Sequence, residues 1–127
     1  MCSSDLIPGD YTPPSRFVRA AFLRHYATKP KNADEAIQLA VHIVNNVDIP
    51  IGIAQSTDGK TIVSDYTQWV AIKDLTNNRL MIADYNHRTT YLTLDLNQIF
   101  AQDKPMTALI TALPYPKDVD GTKSLLK

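Results

Sequence analysis

Two residues could do chemistry: a cysteine at position 2 and an arginine at position 16. Cys2 is the single cysteine of the chain. Removal of the initiator Met would leave its thiol beside a free α-amino group. That amine has a pKa of ~8, so a useful fraction is unprotonated at neutral pH and can take the thiol proton. Such a nucleophile still needs an oxyanion hole and a positioned substrate, which supply much of the rate. The residues after it, SSDLIPGDY, name no source for either. Cys2 is therefore read either as a nucleophile or as an incidental residue near the start. Arg16 falls in the first turn of a predicted helix, where a cation opposes the helix dipole. A role beyond helix stability is expected of it.

The elements that must carry these residues follow from pattern. DLIPGDYTPP, rich in Pro and Gly, reads as an entry loop. Thr12 followed by Pro13 suits an N-cap and first helical position, because the N–H that Pro lacks has no intrahelical partner there. RFVRAAFLRHYA then has helical spacing, with Val18, Ala21, Phe22 and His25 at i, i+3, i+4 and i+7. KPKN ends it. Asn32 with Glu35 three residues on reads as a capping box for a second helix, striped by Ile37, Ala40, Val41 and Val44. Asp48-Ile49-Pro50 stops that helix, since the residue before Pro avoids helical angles. The short connection makes the two helices antiparallel neighbours.

After Gly52 the pattern changes. Thr57-Asp58-Gly59-Lys60 reads as a turn, and three strand-like runs follow: DYTQWVAIK, NRLMIADY and RTTYLTLDL. Thr76-Asn77-Asn78 and Asn86-His87 are the turns between them, giving an antiparallel meander. Leu80 and Ile82 point one way and Met81 and Ala83 the other, so both faces are apolar and both want cover. The helices can cover one face, and nothing obvious covers the other. Residues 102–127 read as an irregular tail with a short strand pattern at TALITAL. The fold class is α+β, in a single domain over residues 1–127, and the uncovered face points to a chain that is part of something larger or that oligomerises.

Composition bounds the function. The chain has 127 residues, 44% hydrophobic, with 13 basic and 13 acidic side chains. The balance gives no electrostatic reason to expect nucleic acid or an anionic membrane as partner. No apolar run reaches membrane-spanning length, no secretory signal is visible, and the compartment stays open. No cofactor is expected, and no His/Cys/Asp/Glu group has metal-ligand spacing. Asp118-Val119-Asp120-Gly121 resembles the start of a calcium loop, but the chain ends before the required Glu. His42 reads as a helix-packing residue, His25 and His87 as surface or turn residues, and Arg19 as a surface or salt-bridge residue. Tyr66 and Trp69 read as strand core, and Asn45 and Asn46 as a helix end.

The stretch PGDYTPPSRFVRAAF closely resembles a segment of the choloylglycine hydrolases, the group of bile salt hydrolases and penicillin V acylases. His42-Ile43-Val44-Asn45-Asn46-Val47, Pro50 and Gly52, the D-x-T-x-aromatic run Asp65 to Trp69, and Asp84-Tyr85-Asn86 follow in the family's order. The resemblance covers about Leu6 to Leu96, the C-terminal part of the family's domain. It implies part of an αββα N-terminal nucleophile hydrolase, two stacked antiparallel sheets between helical layers. It also implies hydrolysis of a linear amide C–N bond by a Cys thiolate through an acyl-enzyme. Arg16 matches the Arg of the family's S-R-F motif; the other catalytic positions fall in a region this chain lacks. The resemblance implies a chain inactive alone, with a small-molecule amide as substrate and a chain supplying the N-terminal half as partner. A minimal enzyme using Cys2 with Arg16, or a non-enzymatic module that self-associates through an apolar sheet face, stands beside it.

Overall fold

A computed structural model of the chain describes residues 8–57, 59–117 and 119–125. It is α+β, with four α-helices and antiparallel sheets of two and three strands. The chain divides into two compact units, Met1–Thr67 and Gln68–Lys127.

The first unit holds helices α1 (Pro13–Tyr26) and α2 (Ala33–Asn45), which pack on each other, and the hairpin β1 (Ala54–Thr57) and β2 (Ile62–Asp65). The α2 start is the expected capping box. Asn32 Oδ1 accepts from Glu35 N at 2.9 Å, and Glu35 reaches back to the Lys31 N–H at 2.8 Å. The first bond satisfies an orphaned helix donor, and the return bond lands one residue before the N-cap, on Lys31 rather than Asn32. Ile37, Ala40, Val41 and Val44 of α2 are all partly buried, as their spacing predicts.

The stripe predicted for α1 is wrong. Val18 and Ala21 are exposed and of the apolar residues at that spacing only Phe22 is partly buried, while His25 is exposed as read. The covered face runs instead through Ser15, Arg16, Arg19, Ala20 and Leu23. Polar side chains claim it because each finds a hydrogen-bond partner there, so their burial leaves no unmet polar group.

The β1–β2 pairing, Ala54 with Asp65 through Thr57 with Ile62, was not legible. Its strands have four residues each and leave Ile62 and Val63 mostly exposed, so no alternating pattern marks them. Only the turn was predicted. Gly59 there takes a positive φ of 88°, a conformation that an L side chain resists.

The second unit is the predicted meander: β3 (Trp69–Asp74), β4 (Arg79–Asp84) and β5 (Leu92–Asp95), in that order. The connection from β3 to β4 is set by Asp74. Its carboxylate accepts from the Thr76 and Asn77 amides, from Asn77 Nδ2 at 2.7 Å, and from Arg79 Nε and Nη2 at 3.0 and 2.8 Å. Asn78 closes the turn at φ 52°, in the left-handed region that Asn tolerates better than most residues. These bonds, those from Asn77 foremost, hold the Asp74 carboxyl down to about 2.

Strand β4 is central, and Met81, Ile82, Ala83 and Asp84 are all buried. Both of its faces are thus covered, as the sequence requires, and the expected bare face is not found on this strand. Apolar exposure lies elsewhere: at Trp69, which is 52% exposed and not strand core, and at Leu75 and Phe100. Tyr66 is partly buried but lies between β2 and β3, outside a strand.

A short helix, α3 (Leu96–Phe100), follows β5 directly, capped by Asp95 Oδ1 accepting from Asn97 N at 2.9 Å. TALITAL does not form a strand. Ala112 N donates to Leu109 O and Leu113 N to Ile110 O, so local turns take the groups a strand would offer a neighbour. One turn of helix, α4 (Thr122–Leu125), comes last. No helix among the described residues is long and apolar enough to cross a membrane.

Candidate functional site

Arg16 is built into the structure from both ends. Its backbone N–H makes the first bond of α1, to Thr12 O at 3.0 Å. Its Nε donates to Val47 O at 2.9 Å. Val47 lies just beyond the α2 C-cap, Asn46, where carbonyls lack intrahelical partners and carry the negative end of the helix dipole. The cation that is unfavourable for α1 is therefore favourable for α2. Among the described residues the two terminal nitrogens of Arg16 make no hydrogen bond, so the outer fork of the guanidinium is available. A guanidinium held through Nε and open at its terminal nitrogens suits a carboxylate or a developing oxyanion.

The carbonyl that holds Arg16 is itself held. Two residues beyond Val47, Ile49 is clamped on Thr67: Ile49 N donates to Thr67 Oγ1 at 2.9 Å and Thr67 N donates to Ile49 O at 3.0 Å. Ile49 is 6% exposed, so its groups have little water to turn to. The loop before α1 is fixed from the other side. Arg19 Nη1 donates to Pro8 O at 2.9 Å and to Asp10 O at 2.6 Å. Arg19 is therefore neither a free surface residue nor chiefly a salt-bridge residue; it fastens the entry loop through main-chain carbonyls. Asp10 Oδ1 accepts from Thr12 N at 2.8 Å and from Thr12 Oγ1, and its Oδ2 accepts from Ser15 Oγ at 2.8 Å. These bonds, led by that from the Thr12 hydroxyl, keep the Asp10 carboxyl below its usual range.

Cys2 lies outside the described residues, so no geometry joins it to Arg16. His42 and His25 are exposed, which removes the packing role expected of His42. Asn45 and Asn46 end α2 as read, Asn46 N donating to Ile43 and Val44 carbonyls. Asp118 is also outside the described residues, and Asp120 accepts from Thr122 N. No group of three or more His, Cys, Asp or Glu side chains could hold a metal ion among the described residues.

One cluster of the second unit was missed. Asp84, 3% exposed at the end of β4, accepts from His87 N and meets His87 Nδ1, both at 2.8 Å. The His87 ring stacks on Tyr115, with centroids 4.4 Å apart and planes within 9°. Burial, and then the Asp84 charge, push the Tyr115 phenol up. The Asp84–His87 spacing was visible as a turn, but its partner 28 residues on has no local signal. Thr90 Oγ1 donates to Pro116 O close by, so the cluster anchors the tail to the sheet rather than forming a second reactive centre.

Comparison with known proteins decides the family. The model of the linear amide C–N hydrolases, choloylglycine hydrolase family, matches residues 4–107. The chain belongs to the choloylglycine hydrolase family. Within that match lie Arg16, its Val47 partner and the Ile49–Thr67 clamp. The chain is similar to a bile salt hydrolase/transferase of Clostridium perfringens, 33% identical over 102 residues. That alignment covers 73% of this chain and 29% of the relative. It is also similar to an uncharacterised protein of Paramecium bursaria Chlorella virus 1, 30% identical over 82 residues, covering 63% of this chain and 29% of that protein. The chain thus spans less than a third of either relative.

Proposed function

We propose that this chain is the C-terminal portion of a linear amide C–N hydrolase acting on substrates of the penicillin V or conjugated bile salt type, and that it is inactive by itself. The observation that carries the reading is Arg16: it lies in the family-matched segment, with Nε committed to Val47 O and its terminal nitrogens without a hydrogen bond among the described residues. The coverage of under a third of each relative supports the view that the nucleophile and oxyanion hole come from elsewhere. In the assembled enzyme a Cys thiolate adds to the amide carbonyl. The C–N bond breaks as the C–S bond persists, the amine leaves with a proton, and water then releases the acid and restores the thiol. Arg16 contributes a fixed positive charge, preorganised by the α2 C-terminus, where negative charge develops.

The test is hydrolysis of penicillin V and of a glycine-conjugated bile salt, with protein near substrate concentration so that a single turnover registers. The full chain alone should give no product. Addition of the N-terminal remainder of the Clostridium perfringens relative should give product that Arg16→Ala abolishes. Turnover by the chain alone, lost in Cys2→Ser, would overturn the reading in favour of a minimal enzyme built on Cys2.

A further inference from the structure

We propose that Asp10 is a positioning residue for Arg16, acting through Thr12 and the first turn of α1, with Arg19 locking the loop that carries it. The inference rests on the reading of Arg16 as the active-site arginine and adds the groups that set its geometry.

The connection is a continuous chain of hydrogen bonds. Asp10 Oδ1 holds both the amide and the hydroxyl of Thr12. The Thr12 carbonyl accepts the Arg16 N–H at 3.0 Å. The Thr12 side chain makes no capping bond into the helix, although Thr12 occupies the N-cap position. Within the helix its hydroxyl reaches only the Ser15 hydroxyl, at 3.2 Å, and Asp10 instead ties the N-cap residue itself from two residues upstream, its second oxygen taking the Ser15 hydroxyl at 2.8 Å. Ser15 is 8% exposed, directly before Arg16 in the chain. Removal of Asp10 therefore strips the Thr12 amide and the Ser15 hydroxyl of their acceptor in the turn from which Arg16 projects, and leaves the Thr12 hydroxyl only Ser15 Oγ.

Arg19 makes the arrangement more than an ordinary cap. Its Nη1 spans the Pro8 and Asp10 carbonyls, so the Asp10 backbone is fixed while its side chain reaches forward. The loop is held to α1 one helical turn after Arg16, on the same partly buried face. Arg19 is also the charged group the structure sets against Asp10. Arg16 is thus bounded by Asp10 and Thr12 through its backbone and by Val47 through Nε. Only its outer nitrogens are left for a ligand.

The test reads Arg16 itself in the full chain, by hydrogen exchange of its backbone N–H and by the NMR signal of its Nε–H. Asp10→Ala should lower the protection of the Arg16 N–H by roughly 5- to 30-fold, the effect of lost side-chain hydrogen bonds at the residue whose carbonyl accepts it, and should move the Nε–H signal toward that of a free guanidinium. Asp10→Asn keeps an acceptor for Thr12 and should restore most of the protection. A pH profile separates the two: wild-type protection should fall as acid titrates Asp10 below the ordinary carboxylate range, and Asp10→Asn should show no such step. Asn32→Ala removes the N-cap at the far end of α2 and should leave the Arg16 N–H unmoved. Protection within twofold of wild type in Asp10→Ala, or an equal loss in Asn32→Ala, overturns the proposal. Failure of the underlying reading is a separate result: Arg16→Ala would leave the complemented enzyme active, whatever Asp10→Ala does to exchange.

Discussion

Thr67→Val should loosen Arg16 without touching it. The substitution keeps the shape of Thr67 and deletes the oxygen that accepts the Ile49 N–H. Loss of a neutral hydrogen bond alone costs about 0.5–1.5 kcal/mol, but Ile49 is 6% exposed and its donor would be left without a partner, which raises the cost to about 1–3 kcal/mol. The extra methyl of Val offsets little of this at a partly buried site. Urea unfolding, followed by a probe in the first unit, should therefore show about 2 kcal/mol of destabilisation, a loss of roughly 8–16 °C if the unit melts as a small domain. Thr67→Ser keeps the oxygen and should recover the greater part. Because Val47 is two residues from Ile49, the Arg16 Nε–H should exchange faster in Thr67→Val even in the native state. A Thr67→Val protein within about 0.5 kcal/mol of wild type, the usual range of an inert surface change, would refute the assignment of Thr67 as the clamp on this segment.

Other expectations follow from the same geometry. Arg16→Lys removes the Nε donor to Val47 O and the planar fork, so kcat of the complemented hydrolase should fall on the order of 10²-fold, measured on penicillin V. The Asp74 carboxyl, held at about 2 against an ordinary 3.8, should stabilise the β3–β4 turn fully above pH 3.8. That contribution should shrink as pH falls from there and vanish below about 2, as read from the Asn77 amide shift across an acid titration; an ordinary titration midpoint would contradict it. Met81→Ala, at a site 4% exposed in the central strand, should cost about 2–5 kcal/mol in urea unfolding.

Much of the fold was legible because local rules and packing agreed. Asn32 and Glu35 declared the α2 start, Asn45 and Asn46 its end, several residues before the stop expected at Pro50, and Thr76-Asn77-Asn78 the tightest turn of the meander. The failures share a cause. The α1 stripe was assigned by hydrophobicity, yet Ser15, Arg16 and Arg19 took the covered face through bonds to residues whose placement no periodicity reveals. The β1–β2 hairpin has strands too short and too exposed to carry a pattern. TALITAL has strand composition but satisfies its backbone locally. At the site, the family's S-R-F motif singled out Arg16, and the helix dipole argument flagged it as out of place. What the sequence could not show was that the Val47 carbonyl, 31 residues away just past the end of α2, supplies the compensating partner. Arg19 looked like a surface cation for the same reason: its partners are carbonyl oxygens, which leave no mark in the amino-acid sequence.

The bond from Arg16 to Val47 closes a ring of chain that runs through both helices. Such a ring makes the arginine a gauge of the whole helix pair. Fraying of the last turn of α2 opens it at one end, and fraying of the first turn of α1, where the Arg16 N–H bonds Thr12 O, loosens it at the other. Either event costs less than unfolding the unit, because helix ends open at lower free energy than cores. On warming, the guanidinium should therefore lose its bearing while the bulk of the structure is still intact. The temperature at which an assembled enzyme works best should sit below the temperature at which it melts.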